Sequence, residues 1–373
     1  MMDVDLDNKR DLAHSLFETG HLKDAISVQL DVFNKTQKIN DLKIFIQYVI
    51  ANQDYRGALD MLGLLKRSLK GLDDPEVTRN FALCYTRTQQ YALALPILTK
   101  MLEDKSDDTL LHDCLAECYF HLGDEQNSLY HSSCGLTLKE SQCQAPVLST
   151  LETCPIAAFN SLKKAKNIIA FSFNGDEKET LRGALQAVDS AKLLYPQWTC
   201  RFYLDETVPA RIQKALQAKG AEVILMDVED IALRTSLWKL HVCMDEHIDR
   251  YLIRDHMAAI THREIAAVNE WINSDKHFHI IRDHVSQSAL VPAGLWGGVQ
   301  GALANMGTLL YKFITHARPQ IKMDEIFIQQ NLWPTIKQSC MIHDSRHELD
   351  NCHPFPPKSD LPEGKFVGQR FDA

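Results

Sequence analysis

Carboxylate and amide side chains follow several apolar runs in the second half of the chain. The run 250-RYLIRD-255 ends in Asp255, and the next positions that suit a second acid hold Met257, Ala258 and Ala259. A carboxylate at a strand end can bind a ligand or a divalent cation, whereas a thioether is a poor ligand for a hard cation. Because Asp255 stands at a strand end, we favour a ligand-binding role for it over capping of the next helix. Similar side chains end the other runs, namely Asn174, Asp205, Asp227 and Asp283.

The runs that carry these side chains are typical of buried β-strands, because they are short and rich in β-branched and aromatic residues. Helical patterns alternate with them, and Thr261 with Glu264 forms a capping box at the start of one helix. The alternation predicts an α/β domain whose mostly parallel sheet is flanked by helices. The predicted strands are 167–173, 199–205, 222–227, 250–255 and 277–283, and the predicted helices are 178–196, 208–220, 231–249 and 261–274.

The first third of the chain repeats a short pattern in which a bulky residue precedes a small one by three positions. The pairs are Leu22 with Ala25, Tyr55 with Ala58, Tyr91 with Ala94, and a weaker copy in Glu125 with Ser128. The small residues follow one another at spacings of 33, 36 and 34, and a period near 34 is typical of paired-helix repeats. The small residue lets two helices approach closely, and Gly20 and Gly123 suit the turns between helices.

This pattern resembles the tetratricopeptide-repeat (TPR) family over about residues 8–140. The resemblance implies an all-α array with a concave face for a peptide or a protein partner. An array that only packs on the rest of the chain is the alternative. We expect an all-α repeat domain over residues 1–145, a connector over 146–165, and the α/β domain over 166–373.

Composition narrows the class of protein. The 373 residues suffice for two domains, and the formal charge of -9 argues against nucleic-acid or membrane surfaces as general partners. No apolar run is long enough to span a bilayer, and the acidic start is unlike a secretion signal. We therefore expect a cytoplasmic protein with reduced cysteines. Cys114 and Cys118 share one predicted helix, where a role in the core is favoured over a metal site.

Several enzyme classes lack their motifs here. The sequence contains no GxGxxG or GxxxxGK[ST] phosphate loop and no GxSxG nucleophile turn. A Rossmann dehydrogenase, a P-loop kinase and an α/β-hydrolase are therefore disfavoured. The histidines at 241, 247, 256, 262, 277, 279 and 284 also lack the HExxH spacing of zinc hydrolases.

The second half of the chain resembles bacterial glycosyltransferase-like proteins with the GT-A nucleotide-sugar fold. The resemblance covers about residues 165–372 and depends on the order of many short segments. These are 167-NIIAFSFNG-175, 195-YPQWTCRFYLDETVP-209, 237-LWKL-240, 253-IRDHMAAITHREIAAVNEW-271, 279-HIIRDH-284, 292-PAGLWGG-298, 324-DEIFIQQNLWP-334, 342-IHDS-345 and 366-FVGQRFD-372.

The resemblance implies a role for Asp255 and exposes a departure. In that family, the first acid after the strand holds the ribose or base of the nucleotide, and a second acid binds Mn²⁺ or Mg²⁺, which stabilises the departing diphosphate. Met257 stands in place of the second acid, so a divalent metal cofactor is in doubt. Further departures are Val285, Gln287 and Glu325.

Other residues acquire candidate roles from the same resemblance. Asp324 is a candidate general base, Lys239 and Arg254 can neutralise phosphate, and Trp296 within a glycine-rich loop offers a face for a sugar or base. Packing in the core is the alternative for Trp238, Trp271 and Trp333, and a surface or packed position without a ligand role is the alternative for His343. The nucleotide-sugar set is Asn174, Asp205, Lys239, Arg254, Asp255, Trp296 and Gly297, and the metal set is His343, Asp344 and Asp255.

Two functions remain open from the sequence. In the first, the chain moves a sugar from a nucleotide-diphosphate sugar donor to a hydroxyl of a glycan or protein acceptor, with either stereochemical outcome. In the second, the transferase-like domain has lost turnover and the repeats serve as a binding scaffold, which the loss at 257-MAA-259 favours. The first requires Asp255, Asp324 and His343 to converge on one site.

Overall fold

The computed structural model describes residues 2–69, 74–104, 107–149, 151–226, 235–317, 322–347 and 352–371. Asp227, predicted at a strand end, lies outside these residues. The described chain divides into two compact units, one ending at Leu138 and the other beginning at Lys139. No helix of the described residues is both long and apolar enough to cross a bilayer.

The first unit is an all-helical repeat, as the sequence predicts. Each of the four repeated segments forms a pair of helices, and the bulky and small residues of the pattern lie in the first turn of the second helix. The helices are α1 (Met2–Glu18), α2 (Leu22–Thr36), α3 (Ile39–Ala51), α4 (Tyr55–Ser68), α5 (Pro75–Arg87), α6 (Tyr91–Asp104), α7 (Thr109–His121) and α8 (Glu125–Ser141).

The small residue of every repeat is fully buried. Ala25, Ala58, Ala94 and Ser128 each have 0% of their surface exposed, which confirms that these positions lie at the helix contact. Ser128 replaces alanine without leaving a buried polar group unsatisfied, because its hydroxyl donates to the carbonyl of Ala116 at 2.9 Å.

The turns inside the four helix pairs share one backbone conformation. Gly20 and Gly123 adopt the left-handed region with φ of 77° and 83°, as predicted, and the equivalent positions in the middle pairs are Gln53 and Gln89 with φ of 62° and 63°. A glycine suits such a turn best, but the array also builds it from glutamine.

Ion pairs link the first helices of neighbouring pairs. Arg10 of α1 contacts Asp41 of α3 at 2.8 Å, and Arg79 of α5 contacts Asp108 at 3.0 Å. Lys43 of α3 likewise pairs with Asp74 at 2.5 Å. Asp74 and Asp108 also cap α5 and α7 by accepting backbone N–H groups, so one carboxylate serves a helix start and the contact with the preceding repeat.

Cys114 and Cys118 belong to the core of the array. Cys118 is completely buried and Cys114 nearly so. Burial raises the pKa of the Cys114 thiol to about 12 and that of Cys118 to about 11. Because metals bind the thiolate, this finding supports the core role predicted for both residues.

The second unit contains an eight-stranded mixed sheet within the described residues. Its strand order is β3-β2-β1-β4-β6-β5-β7-β8, and β6 runs antiparallel to both of its neighbours. The strands are β1 (Asn167–Ser172), β2 (Thr199–Leu204), β3 (Glu222–Leu225), β4 (Arg250–Arg254), β5 (Phe278–Arg282), β6 (Leu295–Val299), β7 (Cys340–Asp344) and β8 (Cys352–His353).

Helices flank this sheet. One face packs against α9, α10 and α12 through a cluster that includes Phe171, Phe202 and Trp271. On β1 and β4 the other face contacts α11 and the 3₁₀ turn Lys239–Met244, and α14 packs on α11. The helices are α9 (Lys178–Leu194), α10 (Ala210–Ala218), α11 (Thr235–Trp238), α12 (His262–Ile272), α13 (Met306–His316), α14 (Met323–Phe327) and α15 (Trp333–Ile336).

The cap of α12 and the predicted connector differ from the sequence-based expectation. Thr261 caps α12 by accepting the N–H of Glu264 at 3.2 Å, as predicted, but the Glu264 carboxylate turns to Arg254 and not back to the cap. The predicted connector, residues 146–165, belongs to the second unit. There the N–H of Leu148 donates to Thr335 at 2.8 Å and the Ser149 hydroxyl donates to Ala302 at 2.7 Å.

Candidate functional site

The strand order of the sheet reverses at β1. The chain proceeds from β1 to β2 and β3 on one side, and β4 then returns to pair with β1 on the other side. In open α/β sheets, ligands bind beyond the carboxyl ends of the strands at such a reversal. The tips of β1 and β4, which carry Ser172 and Asp255, are therefore the candidate ligand site.

Asp255 is an exposed acid at the tip of β4. Its side chain is 57% exposed, and it accepts the backbone N–H of Met257 at 2.8 Å, which holds the turn after β4. Gly294 lies directly behind this turn, since a Cβ added there would lie 3.2 Å from the Asp255 nitrogen. The carboxylate keeps free surface, as a ligand-binding acid requires.

Met257 turns away from the strand tip. Its side chain is only 7% exposed, and its sulfur fills the space beside Gly183 of α9. The residue in place of the second acid is therefore part of the hydrophobic core.

His256 was missed by the sequence reasoning, which considered histidines only by metal-ligand spacing. Its side chain is 14% exposed, its Nδ1 lies 3.7 Å from Asp255, and its ring packs on Phe173 at 4.8 Å. Burial lowers the pKa of His256, and the charges of Lys239 and Arg370 add to the shift, whereas Asp255 and a hydrogen bond to the Ser172 backbone oppose it. The position immediately after a strand-end acid was the available signal.

Lys239 and Asp324 form a buried ion pair. The Lys239 ammonium lies 3.0 Å from Asp324, and their side chains are 9% and 7% exposed. The pair connects α14 to the 3₁₀ turn that covers β1 and β4. Since the charge of Lys239 also acts on His256, we group Lys239, Asp255, His256, Asp324 and Arg370 as the tip cluster.

Asn174 and Asp205 lie at the tips of β1 and β2. Asp205 is 9% exposed and accepts both the N–H and the hydroxyl of Thr207. The Thr207 hydroxyl oxygen accepts the N–H of Gly175 at 2.7 Å, which ties the two strand tips together. Asp205 thus organises the loop beside Asn174, and a direct ligand contact by either residue stays a prediction.

Arg254 points to the opposite side of β4 from Ile253 and is buried near α12. Its Nε donates to Glu264 at 2.7 Å, and Nη1 donates to the carbonyl of Trp296 at 2.9 Å. Tyr195 also donates to Glu264, at 3.1 Å. Nη2 of Arg254 is buried without a hydrogen-bond partner among the described residues, so a phosphate contact by Arg254 stays a prediction.

Trp296 and Gly297 are in a strand, which corrects the expectation of a glycine-rich loop around them. Trp296 is completely buried and packs edge-on against Tyr251 at 5.7 Å. A Cβ on Gly297 would lie 2.6 Å from the Tyr251 carbonyl oxygen and 2.7 Å from Leu252. The glycine is needed because β6 approaches β4 closely, and the indole has no exposed face for a ligand.

His343 does not share the tip cluster, which corrects the expectation of one convergent site. It lies on β7, three strands from β4, and faces α12. Its Nδ1 lies 2.8 Å from His279 and its Nε2 lies 3.1 Å from Glu270. Both ring nitrogens therefore already have partners, and burial is the largest cause of the lowered pKa of His343.

Asp344 is also engaged by protein groups. It accepts the Nε–H of Arg282 at 2.7 Å and lies 3.0 Å from Nδ1 of His347. Burial alone would raise the pKa of Asp344, but His347 and Arg282 lower it overall. The arrangement is a buried charge network within the sheet.

The turn after β4 offers a divalent cation one carboxylate, that of Asp255. Throughout the part of the chain that the structure describes, no three His, Cys, Asp or Glu side chains are placed to hold one ion. Asp255 has Met257 where a second oxygen ligand would be needed, while Mg²⁺ and Mn²⁺ prefer oxygen donors.

Comparisons with known proteins reach only part of the chain. No protein-family model matches it, and no curated protein matches it. Similar solved structures include MamA from AMB-1 (18% identity, 36% of this chain, 79% of that chain, TM-score 0.32) and MamA from Desulfovibrio magneticus RS-1 (13%, 36%, 75%, 0.32). YrrB, described as a TPR protein with an unusual peptide-binding site, is also similar (17%, 34%, 65%, 0.29). Matches of this quality do not establish a shared function.

Proposed function

We propose that the repeat unit binds a peptide segment of a partner protein. The observation that carries this proposal is the regular stacking of four helix pairs with their small residues fully buried. Such arrays expose extended surfaces formed by several successive repeats, and these surfaces serve as binding faces.

A cavity of about 350 Å³ between the turns of the second and third helix pairs is the proposed docking point. Ligand sites typically measure roughly 300–1,000 Å³. The cavity is lined by Tyr55, Arg56, Thr88 and Gln89, among others. Arg87 also lines the cavity but forms an ion pair with Glu117, whereas Arg56 is exposed. Arg56 supplies donors for carbonyl or carboxylate oxygens of a peptide.

Fluorescence anisotropy with a panel of labelled synthetic peptides of varied charge tests this proposal. Arg56→Ala should weaken the affinity for the peptides that bind, by about tenfold if a charged hydrogen bond is lost. Arg67→Ala is the matched control, because Arg67 is another exposed arginine of α4 that does not line the cavity. If no peptide binds, or if both variants bind alike, the proposed docking point is wrong.

A second function is favoured by the tip cluster. The α/β unit, in the GT-A manner that the sequence resembles, would bind a nucleotide-diphosphate sugar over the tips of β1, β2 and β4 and transfer the sugar to an acceptor hydroxyl. The supporting observation is that Asp255 is exposed at the strand-order reversal and that the buried Lys239–Asp324 pair involves the 3₁₀ turn that contacts β1 and β4. Ligands of such sheets bind at this reversal.

The Lys239–Asp324 pair suggests how the transfer is promoted. A diphosphate that draws the Lys239 ammonium towards itself leaves the Asp324 carboxylate able to accept a proton. In the proposed step, the acceptor oxygen bonds to the anomeric carbon, its proton passes to Asp324, and the nucleoside diphosphate departs with the bonding electrons. Asp255 holds the nucleoside.

Titration calorimetry with a panel of nucleotide sugars, with and without manganese, tests this second function together with donor hydrolysis. Asp255→Ala should weaken donor binding, and Asp324→Asn should abolish hydrolysis while the protein stays folded. Asp275→Asn is the control, since its side chain is 87% exposed and outside the tip cluster. A protein that binds no donor and hydrolyses none lacks this function. Peptide binding by the repeat unit would then be the one proposed function that remains.

A further inference from the structure

Three buried polar atoms at the ends of β1 and β4 have no hydrogen-bond partner among the described residues. One is Nη2 of Arg254, whose Nε bonds Glu264 of α12, and the other two are the Ser172 hydroxyl oxygen and Nε2 of His256. Buried polar atoms are nearly always satisfied by protein, ordered water or ligand. The Ser172 and His256 atoms lie at the strand-order reversal, so they mark a position where the oxygens of a ligand would complete the hydrogen bonding.

The C-terminal segment brings a cation to the same place. The N–H of Ala259 donates to the carbonyl of Gln369 at 2.8 Å, and the N–H of Phe371 donates to Met257 at 2.9 Å. Arg370 stands between these two contacts and forms a bridge with Ala258. This pairing holds Arg370 beside the turn that carries Asp255 and His256, and its charge acts on the His256 ring, as that of Lys239 does.

Asp255 is the one acid of the turn after β4, where Met257 replaces the second, and a bound diphosphate needs its charge offset. Guanidinium and ammonium groups can do so through charge-assisted hydrogen bonds. Arg254, the arginine that the sequence offered for this role, pairs with Glu264. Arg370 pairs through its backbone with the turn that carries His256, and the charges of Arg370 and Lys239 both act on the His256 ring.

We propose that Lys239 and Arg370 bind the diphosphate of a nucleoside-diphosphate ligand without a divalent cation, and that His256 and Ser172 hydrogen-bond the adjoining ligand oxygens. This inference rests on the second function proposed above. It assigns the C-terminal segment to the donor site and identifies the diphosphate as the recognised group.

Titration calorimetry of the full chain with UDP, GDP, ADP, CDP and dTDP in EDTA, and again in manganese, tests the proposal. At least one nucleotide should bind in EDTA, and manganese should leave its affinity unchanged. Arg370→Gln should weaken that affinity by about tenfold or more. Lys365→Gln, which removes a cation from the same C-terminal segment, should not. Circular dichroism confirms that each variant is folded.

The outcomes separate the two proposals. A nucleotide that binds only with manganese, or binds Arg370→Gln and Lys365→Gln equally well, overturns the metal-free site and leaves the transferase function standing. Binding of none of the nucleotides under either condition overturns both. His256→Gln and Ser172→Ala provide a second readout, because each should weaken nucleotide binding if the partnerless atoms face the ligand.

Discussion

The sulfur of Met257 occupies the space that a side chain at Gly183 would need. Gly183 lies inside α9, and an added Cβ would collide with this sulfur and lie 3.1 Å from the His256 carbonyl oxygen. The turn after β4 therefore packs directly on the backbone of α9. The position where the resembling family places a second acid is used here to fix the turn that presents Asp255 and His256.

We expect Gly183→Ala to destabilise the second unit. The added methyl group overpacks the contact with Met257, which typically costs about 1–3 kcal/mol. Urea-induced unfolding followed by circular dichroism measures the effect. In a Met257→Ala background the same change should cost much less, because the colliding sulfur is gone. An equal cost in both backgrounds would show that Met257 is not the obstacle.

Gly123→Ala should destabilise the repeat unit through its backbone alone. Gly123 has a φ of 83° and no atom within 4 Å of an added Cβ, so the cost is that of a left-handed alanine, about 1–2 kcal/mol. Gly63→Ala is the matched control. It lies within α4 and also meets nothing within 4 Å, so alanine should stabilise that helix by roughly 0.5–1 kcal/mol. Thermal unfolding should shift in opposite directions for the two variants.

Removing the partner of Arg254 should be costly. Glu264→Ala leaves a guanidinium that is 3% exposed without its carboxylate, and breaking a buried pair in this way costs about 3–5 kcal/mol. The exposed pair of Lys219 with Asp189 is the comparison. Asp189→Asn should change the free energy of unfolding by less than about 1 kcal/mol. Similar losses in both variants would mean that Arg254 is better solvated than its burial indicates.

The repeat unit should lose stability in acid through His131. Burial, assisted by His112, lowers the pKa of His131 from 6.5 to about 4, so the unfolded chain binds a proton more readily than the folded one. The contribution is complete above pH 6.5 and is lost as the pH falls towards 4, amounting to about 3 kcal/mol.

His131→Gln provides the control for this pH dependence. Glutamine can still hydrogen-bond the Nδ1 of His112, which lies 3.1 Å from His131, but it does not titrate. The free energy of unfolding of this variant should fall less steeply between neutral pH and pH 4 than that of the wild type. Parallel curves for the two proteins would assign the acid sensitivity to other groups.

The local elements could be predicted because their signals are local. The apolar runs at 167–173 and 250–255 are strands within a residue or two, and the spacing of Ala25, Ala58 and Ala94 locates the helix pairs. β6 was not predicted, because Gly297 and Gly298 weaken a strand signal. Glycine is required at both positions because Tyr251 of β4 approaches them closely. This is a contact between distant parts of the chain.

The candidate site was predicted less completely. Sequence order indicated Asp255 as a strand-end acid, but neighbouring residues on a strand face opposite sides of the sheet. Arg254 consequently pairs with Glu264 while Asp255 stays accessible. Arg370 had no individual signal, because only its backbone pairing with Ala258 brings it to the turn.

By itself the sequence determined the helical repeat, the alternation of strands and helices, and the carboxylates that follow the strands. These features depend on periodicity and on residue types a few positions apart. The tertiary structure decided which distant residues meet: it joined Lys239 to Asp324, paired the backbone of Arg370 with the turn that carries His256, and placed His343 three strands from β4. The reason is physical, since strand order and the facing of each side chain arise from pairing and burial between segments far apart in the chain.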